Sequence, residues 1–436
     1  MYNNKQVFNL SNRTLMRSDL LIGLDIGSTN IRLVAAQRKE KDQDLQIIGA
    51  VESPSQGITK GVVNSIEDAT SSLSRCLEKA ERLIGLPITS AWVGISGFHI
   101  KAEKSRGVVA VARSDGEVTE DDVARTIEAA RALSVPPNYE ILHVIPTRYS
   151  VDNQTDIKDP VGMIGVRLEA ETIIIQGLAA QVKNFTKAVY RTELNIEDIV
   201  LSSLAGAAAV LTDKQKDLGV MLVNIGASTT SLAVFEEGEL LHTAVLPIGS
   251  EHITADIAIG LRCPITLAER IKIEYGSALS KDVAKKDEVD IAELVAAEEL
   301  GSEEEAVISR KYVAEIIEAR VEEIMEKIDN ELKKIEHSGM LPAGAVFIGG
   351  GAKLPGIVEV AKRSLRLPAS VGNNRSQVSV IDKVNDPAFL TALGLVIWGD
   401  GITSQRAGGW GGFSGGGRVF SQVTGKLGEW FRKLKP

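Results

Sequence analysis

Cysteine is almost missing from this chain: Cys76 and Cys263 are the two present in 436 residues. Neither lies in a metal-ligating spacing, so a disulfide framework and a zinc ribbon are excluded, and a reducing, cytoplasmic compartment is the default expectation. Aromatic residues make up only 4% of the sequence. Long apolar runs are missing too, and with no uninterrupted stretch of about eighteen such residues a membrane-spanning helix is not expected. Residues 1–19 are polar and do not read as a secretory signal.

An excess of basic charge is also lacking, since 49 Lys and Arg face 58 Asp and Glu for a formal net charge of −9. Residues 418–436 run the other way, with five basic side chains and one acidic, and without that surplus of four the remainder stands at −13. An acidic body argues against nucleic-acid binding, which rests on many phosphate contacts. An anionic membrane would repel it as well, so any attraction to lipid must come from the tail.

What the sequence does contain is one phrase written twice. Leu24-Asp25-Ile26-Gly27-Ser28-Thr29 and Val223-Asn224-Ile225-Gly226-Ala227-Ser228-Thr229-Thr230 each follow one apolar run and precede another, which reads as strand, tight turn, strand. Glycine and small hydroxyl residues at such a turn let backbone N–H groups approach a phosphate closely. The chain exceeds the size at which single cores stop growing, so two lobes are expected, gripping one nucleotide from opposite sides.

The rest of the pattern fills in an α/β organisation. Residues 21–52 read as a β-meander with strands at 21–27, 31–37 and 45–51, followed by a helix over 66–84 and a strand over 90–96. From 99 to 176 lies a compact α+β module with strands at 108–112, 141–149 and 166–175, a loop at 152–165, and a helix opening at Thr119 with Glu120, Asp121 and Asp122 in its first turn, where the helix dipole favours acids. Helices over 182–194 and 202–211 lead into the second hairpin at 220–235. A strand over 240–247, helices over 251–258 and 266–275, a charged surface excursion at 282–305 and a long helix over 310–336 follow. A short strand at 345–348 runs into Gly349-Gly350-Gly351-Ala352, and 386–398 reads as a last helix.

Residues 401–417 hold eight glycines and read as a flexible linker, with a root-mean-square reach of roughly 20 to 25 Å. Beyond it Phe420, Val423, Leu427, Trp430, Phe431 and Leu434 fall at helical spacing, flanked by Arg418, Lys426, Arg432, Lys433 and Lys435. A helix with a basic face and aromatic apolar side lies in a membrane interface. The bland alternative is a terminal helix docked on its own domain, against which the long glycine tether counts.

The order of hairpin, hairpin and triple glycine is that of the actin and hexokinase ATPase superfamily. Ile58 to Val63, the Leu142-His143-Val144-Ile145-Pro146 strand, Pro160-Val161-Gly162, the stretch from Asp256-Ile257-Ala258 through Ala268-Glu269-Arg270-Ile271-Lys272 to Tyr275-Gly276, and Ala314-Glu315-Ile316-Ile317-Glu318 resemble the FtsA family of bacterial cell-division actins. The resemblance runs from about residue 20 to 400. It implies an α/β, two-domain actin-like (ribonuclease H-like) fold around an ATP cleft, with an inserted α+β subdomain 1C and a C-terminal amphipathic helix. The implied divisions are a polar extension at 1–20, subdomain 1A at 21–98 and 178–211, subdomain 1C at 99–177, domain 2 with its closing helix at 212–400, the linker at 401–417, and a membrane-targeting helix at 418–436.

By the same resemblance the expected ligands are ATP and Mg²⁺. Asp25 matches the acid that holds the metal, usually through water, and Asn224 occupies the corresponding place in the second hairpin. Gly27, Ser28, Thr29 and Asn30 would cradle phosphate from one lobe, and Gly226, Ala227, Ser228, Thr229 and Thr230 from the other. Glu269 and Lys272 match adenosine contacts, with Gly349, Gly350, Gly351 and Ala352 beneath. The implied partners are the FtsZ C-terminal peptide, near the helix that carries Arg320, further copies of the chain in filaments, late divisome proteins, and membrane lipid at the inner face of the cell membrane at the septum.

The sequence departs from the family pattern where chemistry is concerned. Relatives commonly have Asp at the position of Asn224, glycines at Ala227 and Ser228, and Asp at Ser231, while many have Lys at Asn30. An amide accepts a hydrogen bond but carries no charge, so metal attraction weakens. The expectation is ATP binding with hydrolysis slow or absent, and no side chain is assigned a catalytic role. An alternative is PilM, an actin-fold adaptor of type IV pilus assembly that resembles FtsA but generally lacks a basic tail. A sugar kinase or chaperone ATPase fits less well, lacking here a substrate-base Asp or sufficient chain for a peptide-binding domain.

Overall fold

A computed structural model describes residues 20–38, 45–132, 136–297, 307–374 and 381–407. The first meander is β1 (Leu20–Ile26), β2 (Asn30–Arg38) and β3 (Leu45–Pro54), after which α1 (Ile66–Ile84) crosses to β4 (Ser90–Ile95), parallel to β1. The Ser65 hydroxyl caps α1 by accepting from the Asp68 N–H, and Gly85 ends it at φ 70°, a left-handed conformation that glycine adopts freely.

The insertion comprises β5 (Ile100–Ala110), α2 (Glu120–Ala132), β6 (Tyr139–Val151), β7 (Gln154–Ile157) and β8 (Arg167–Leu178), in the sheet order β5-β8-β6-β7. β5 begins at Ile100 rather than 108, because the charged residues that disguise it lie along an edge strand, and β7 interrupts the segment read as a loop. Thr119 caps α2 as expected: its hydroxyl accepts from the Asp122 N–H at 3.3 Å while its own N–H donates to the Asp122 carboxylate at 2.9 Å. β8 is apolar on both faces because both are covered. Ile173 and Ile175 join the main core, whereas Ala170 and Ile174 pack with Val123 and Ile127 of α2.

The chain returns through α3 (Ala179–Tyr190), β9 (Asn195–Leu201) and α4 (Ser202–Val210). β9, which the sequence pattern did not reveal, completes a sheet of order β9-β4-β1-β2-β3. The second lobe follows with β10 (Val220–Ile225), β11 (Thr230–Glu236), β12 (Glu239–Leu246), α5 (Ser250–Leu261), α6 (Ile265–Tyr275), α7 (Arg310–Lys334), β13 (Ala345–Ile348), α8 (Ile357–Leu365) and β14 (Ala369–Val371). Its sheet, β12-β11-β10-β13-β14, repeats the first strand for strand, with two antiparallel neighbours on one side of the hairpin strand and two parallel ones on the other.

The last helix, α9, spans Leu390–Ala407 and corrects two expectations. It continues through 401–407, so the glycine-rich stretch begins as helix. It also packs into the first lobe: Leu390, Leu393 and Val396 share a core with Leu24 and Leu33, and a Cβ on Gly394 would stand 1.8 Å from the Ala205 carbonyl oxygen of α4. α4 in turn links the two sheets, because Leu204 belongs to the same core as Leu222 and Ile348. The predicted membrane-targeting helix at 418–436, with Phe420 to Leu434, lies outside the described residues.

Candidate functional site

The two hairpins match in register. Asp25 faces Arg32 on one ladder and Asn224 faces Ser231 on the other, with turns at 27–30 and 226–229. The turn closes the same way in both, the Gly27 N–H donating to the Asn30 carbonyl at 3.1 Å and the Gly226 N–H to the Thr229 carbonyl at 2.9 Å. They open from opposite lobes onto one cleft of about 920 Å³, lined by Asp25, Gly27, Ser28, Thr29, Asn30, Asn224, Gly226, Ala227, Ser228, Thr229, Glu269, Lys272, Gly349, Gly350 and Gly351.

Two expected members are not on that wall. Thr230 is fully buried at the start of β11, where strand alternation turns it inward and its hydroxyl donates to the Ile248 carbonyl at 2.8 Å. Ala352 is buried in the core of the second lobe beside the glycine loop.

Asp25 stands at the floor of the cleft. Desolvation raises its pKa to about 6, against the opposing pull of the Arg32 guanidinium and a 3.5 Å contact from the Ser202 hydroxyl. Arg32 pairs with Glu52 at 2.6 Å, yet its Nε is buried without a protein partner. Asn224 is held differently: its amide nitrogen donates to the Thr391 hydroxyl at 3.1 Å. Gly349 sits at φ 88°, and a Cβ there would meet Asn224 Oδ1 at 2.4 Å, so the loop passes this amide only because the residue is glycine.

On the opposite wall the Lys272 ammonium is nearly buried. It donates to Glu269 Oε2 at 2.6 Å, the Thr254 hydroxyl at 2.8 Å and the Ser250 carbonyl at 3.3 Å. Those bonds commit Lys272 to holding α5 against α6, while Ile265 and Ile273 add an exposed apolar margin beside it. Glu251 was not singled out by the sequence, where an acid in a helix first turn is ordinary. In the structure it accepts from the Thr29 hydroxyl of the first hairpin at 2.8 Å and the Ser228 hydroxyl of the second at 2.6 Å. Away from the cleft, Arg320 is engaged within its own lobe, donating to the Asp256 carboxylate at 2.5 and 2.8 Å and to Glu323.

Family models place this geometry. Residues 221–394 match the model described as Cell division protein FtsA, and residues 97–176, spanning β5 to β8, match the SHS2 domain inserted in FTSA. Cell division protein FtsA of Pseudomonas aeruginosa is 36% identical over 394 residues, covering 89% of this chain and 92% of that protein. The chain belongs to the FtsA family. FtsA of Bacillus subtilis is 37% identical, covering 87% of the chain and 83% of the relative, and FtsA of Escherichia coli K12 is 31% identical, covering 95% and 96%. Among solved structures, a PilM-PilN type IV pilus biogenesis complex aligns with a TM-score of 0.62 at 16% identity, covering 87% of this chain and 98% of that one. MreB 5 of Spiroplasma citri bound to AMPPNP aligns at 0.53 and 12%, covering 89% and 98%. These two likenesses show the actin-like fold of the FtsA-family chain and nothing finer.

Proposed function

We propose that this FtsA-family chain binds ATP with Mg²⁺ between its lobes and serves as a nucleotide-stabilised scaffold of cell division. The observation that carries the reading is the pair of register-matched hairpins, converging from two lobes on one cleft with Asp25 at its floor. A polyphosphate needs converging backbone N–H groups and a divalent ion rather than one strong base. The residues suit both. The Arg32 guanidinium lines the cleft, and Asp25 is the carboxylate that would hold the metal. Among the described residues no three His, Cys, Asp or Glu side chains gather as a metal group. Mg²⁺ would therefore take its remaining ligands from phosphate oxygens and water, its usual habit, and would neutralise the polyphosphate charge. Glu269 and the loop at Gly349, Gly350 and Gly351 would border the adenosine. With an uncharged Asn224 bonded to Thr391 where the first hairpin has Asp25, hydrolysis is slow or absent.

The scaffold reading extends to filaments of this chain on the inner face of the membrane at the septum, where the basic tail anchors it, the FtsZ C-terminal peptide binds, and late divisome proteins are recruited. Support comes from relatives whose name is Cell division protein FtsA and from the amphipathic spacing at Phe420, Val423, Lys426, Leu427, Trp430, Phe431, Lys433 and Leu434. Among the described residues no helix is long and apolar enough to cross a membrane. Burying its six apolar side chains gives on the order of 5 to 10 kcal/mol before ordering costs. Polymerisation would sum many such weak anchors.

Co-sedimentation with anionic liposomes, with and without residues 418–436, tests the anchor; equal pelleting of both forms would remove it. A pull-down with an FtsZ C-terminal peptide fusion tests the partner, and absence of binding would favour the PilM-like adaptor.

A further inference from the structure

We propose that Glu251 sets the cleft's preference among nucleotides by phosphate count, disfavouring ATP more than ADP or adenosine. This rests on the nucleotide reading of the cleft. Glu251 belongs to the first turn of α5, which is pinned to the second hairpin by the Ser250 N–H donating to the Gly226 carbonyl at 2.9 Å and the Glu251 N–H donating to the Ala227 carbonyl at 2.8 Å. From that fixed base the side chain reaches both lobes, one carboxylate oxygen taking the Thr29 hydroxyl and the other the Ser228 hydroxyl. A helix dipole alone explains an acid in a first turn. It does not explain a bond to Thr29, 222 residues away in the other lobe.

The carboxylate thus takes one hydroxyl donor from each hairpin. Phosphate oxygens can use those hydroxyls only after Glu251 yields them, and the displaced charge stays beside the phosphates, where like charges repel. Each additional phosphate brings more negative charge towards the turns, so the cost falls mainly on the triphosphate. Adenosine, with no phosphate, does not compete. Glu251 is then both a tie between the two hairpins and a selectivity element toward phosphate.

The test is isothermal titration of the full-length protein with ATP, ADP and adenosine in Mg²⁺, comparing the wild type with Glu251→Gln and Glu251→Asp. The expected result for Glu251→Gln is ATP binding tighter by about tenfold, equivalent to about 1.4 kcal/mol. ADP should gain less and adenosine nothing. Glu251→Asp keeps the charge on a side chain one methylene shorter, so its ATP gain should be smaller than that of Gln. Unchanged or weaker ATP binding by Glu251→Gln overturns the proposal, and weaker binding would instead mark Glu251 as part of the cation's environment. An equal gain for all three ligands also overturns it, since relief of a closed cleft would then suffice. If no form binds any of the three ligands, the nucleotide reading itself fails and takes this inference with it.

Discussion

At the same rung of two matching ladders the first hairpin carries a carboxylate and the second an amide, and their surroundings diverge accordingly. Asp25 is desolvated at the cleft floor, and although the Arg32 guanidinium and the Ser202 hydroxyl at 3.5 Å oppose the effect, its pKa rises to about 6. Asn224 is bonded to Thr391 and wedged against Gly349. One side chain is kept in a condition that favours arrival of a positive charge, whereas the other is already satisfied by the protein. Perturbed groups concentrate at functional sites because environments that cost stability persist where something is gained. The repeat therefore preserves backbone geometry in both lobes, while the proposed metal chemistry falls to the first.

The largest expected break in that asymmetry is Asp25→Asn. Removing the carboxylate should weaken Mg²⁺-dependent ATP binding by about a hundredfold, or about 2.8 kcal/mol. Asn224→Ala should cost less than about tenfold. Titration calorimetry with and without Mg²⁺ checks both, and comparable losses in the two variants would erase the distinction drawn here.

The same variant has a pH signature in the nucleotide-free protein. A carboxyl whose pKa is raised on folding binds its proton in the native state where the unfolded chain does not, so the wild type loses stability as pH climbs from about 4 to 6. Asp25→Asn escapes that cost and should be more stable at pH 8, by on the order of 2 kcal/mol after allowance for water in the open cleft. At pH 4 the difference should vanish. His99 and His143, buried and lowered to about 4 by desolvation, act in the other direction. Their contribution is present above about 6.5, the ordinary histidine value, and is lost as pH falls towards 4. Because both proteins share it, thermal melts across pH 4 to 8 must be read as variant minus wild type.

Much of this was legible in the sequence because a glycine turn between apolar strands is a local signal. The hairpins, α1 with its Ser65 cap, and the Thr119 opening of α2 all rest on residues within a few positions of one another. Elements defined by distant partners were harder to see. In β9 only the last three residues are buried, and the polar, largely exposed start conceals any alternation. α9 runs on past its expected end at 398 through Gly399 and through Gly401, which opens the stretch that pattern alone reads as linker; a Cβ on Gly399 would lie 2.3 Å from the Trp92 indole nitrogen. Glu251 shows its role only once two lobes meet, since its partners lie in separate hairpins. Glu269 and Lys272 were found through the family resemblance, yet the structure adds that Lys272 is occupied by Ser250, Thr254 and Glu269.

A smaller, opposite test adds chemistry to the second hairpin. Asn224→Asp gives the second hairpin a carboxylate at the position matching Asp25, and an Asp there can still accept a hydrogen bond from the Thr391 hydroxyl, so the fold should survive. If the missing charge is what limits turnover, phosphate release from ATP should rise by about tenfold, equivalent to about 1.4 kcal/mol of barrier. A wild type that already hydrolyses ATP at the variant's rate would show that Asn224 is no brake.

The smallest effect separates shape from contact within the second hairpin. Thr230 and Ile31 occupy matching positions one residue past the two turns, yet only Thr230 carries a hydroxyl, which is spent inside the fold on the Ile248 carbonyl. Thr230→Val keeps the volume and the strand preference while leaving that buried carbonyl without its side-chain donor. The expected loss is about 1 kcal/mol of stability in urea unfolding. ATP affinity should not change, because the hydroxyl does not face the cleft. Were affinity to fall several-fold while stability held, Thr230 would have to turn outward on binding, and the second hairpin would share in phosphate contact as fully as the first.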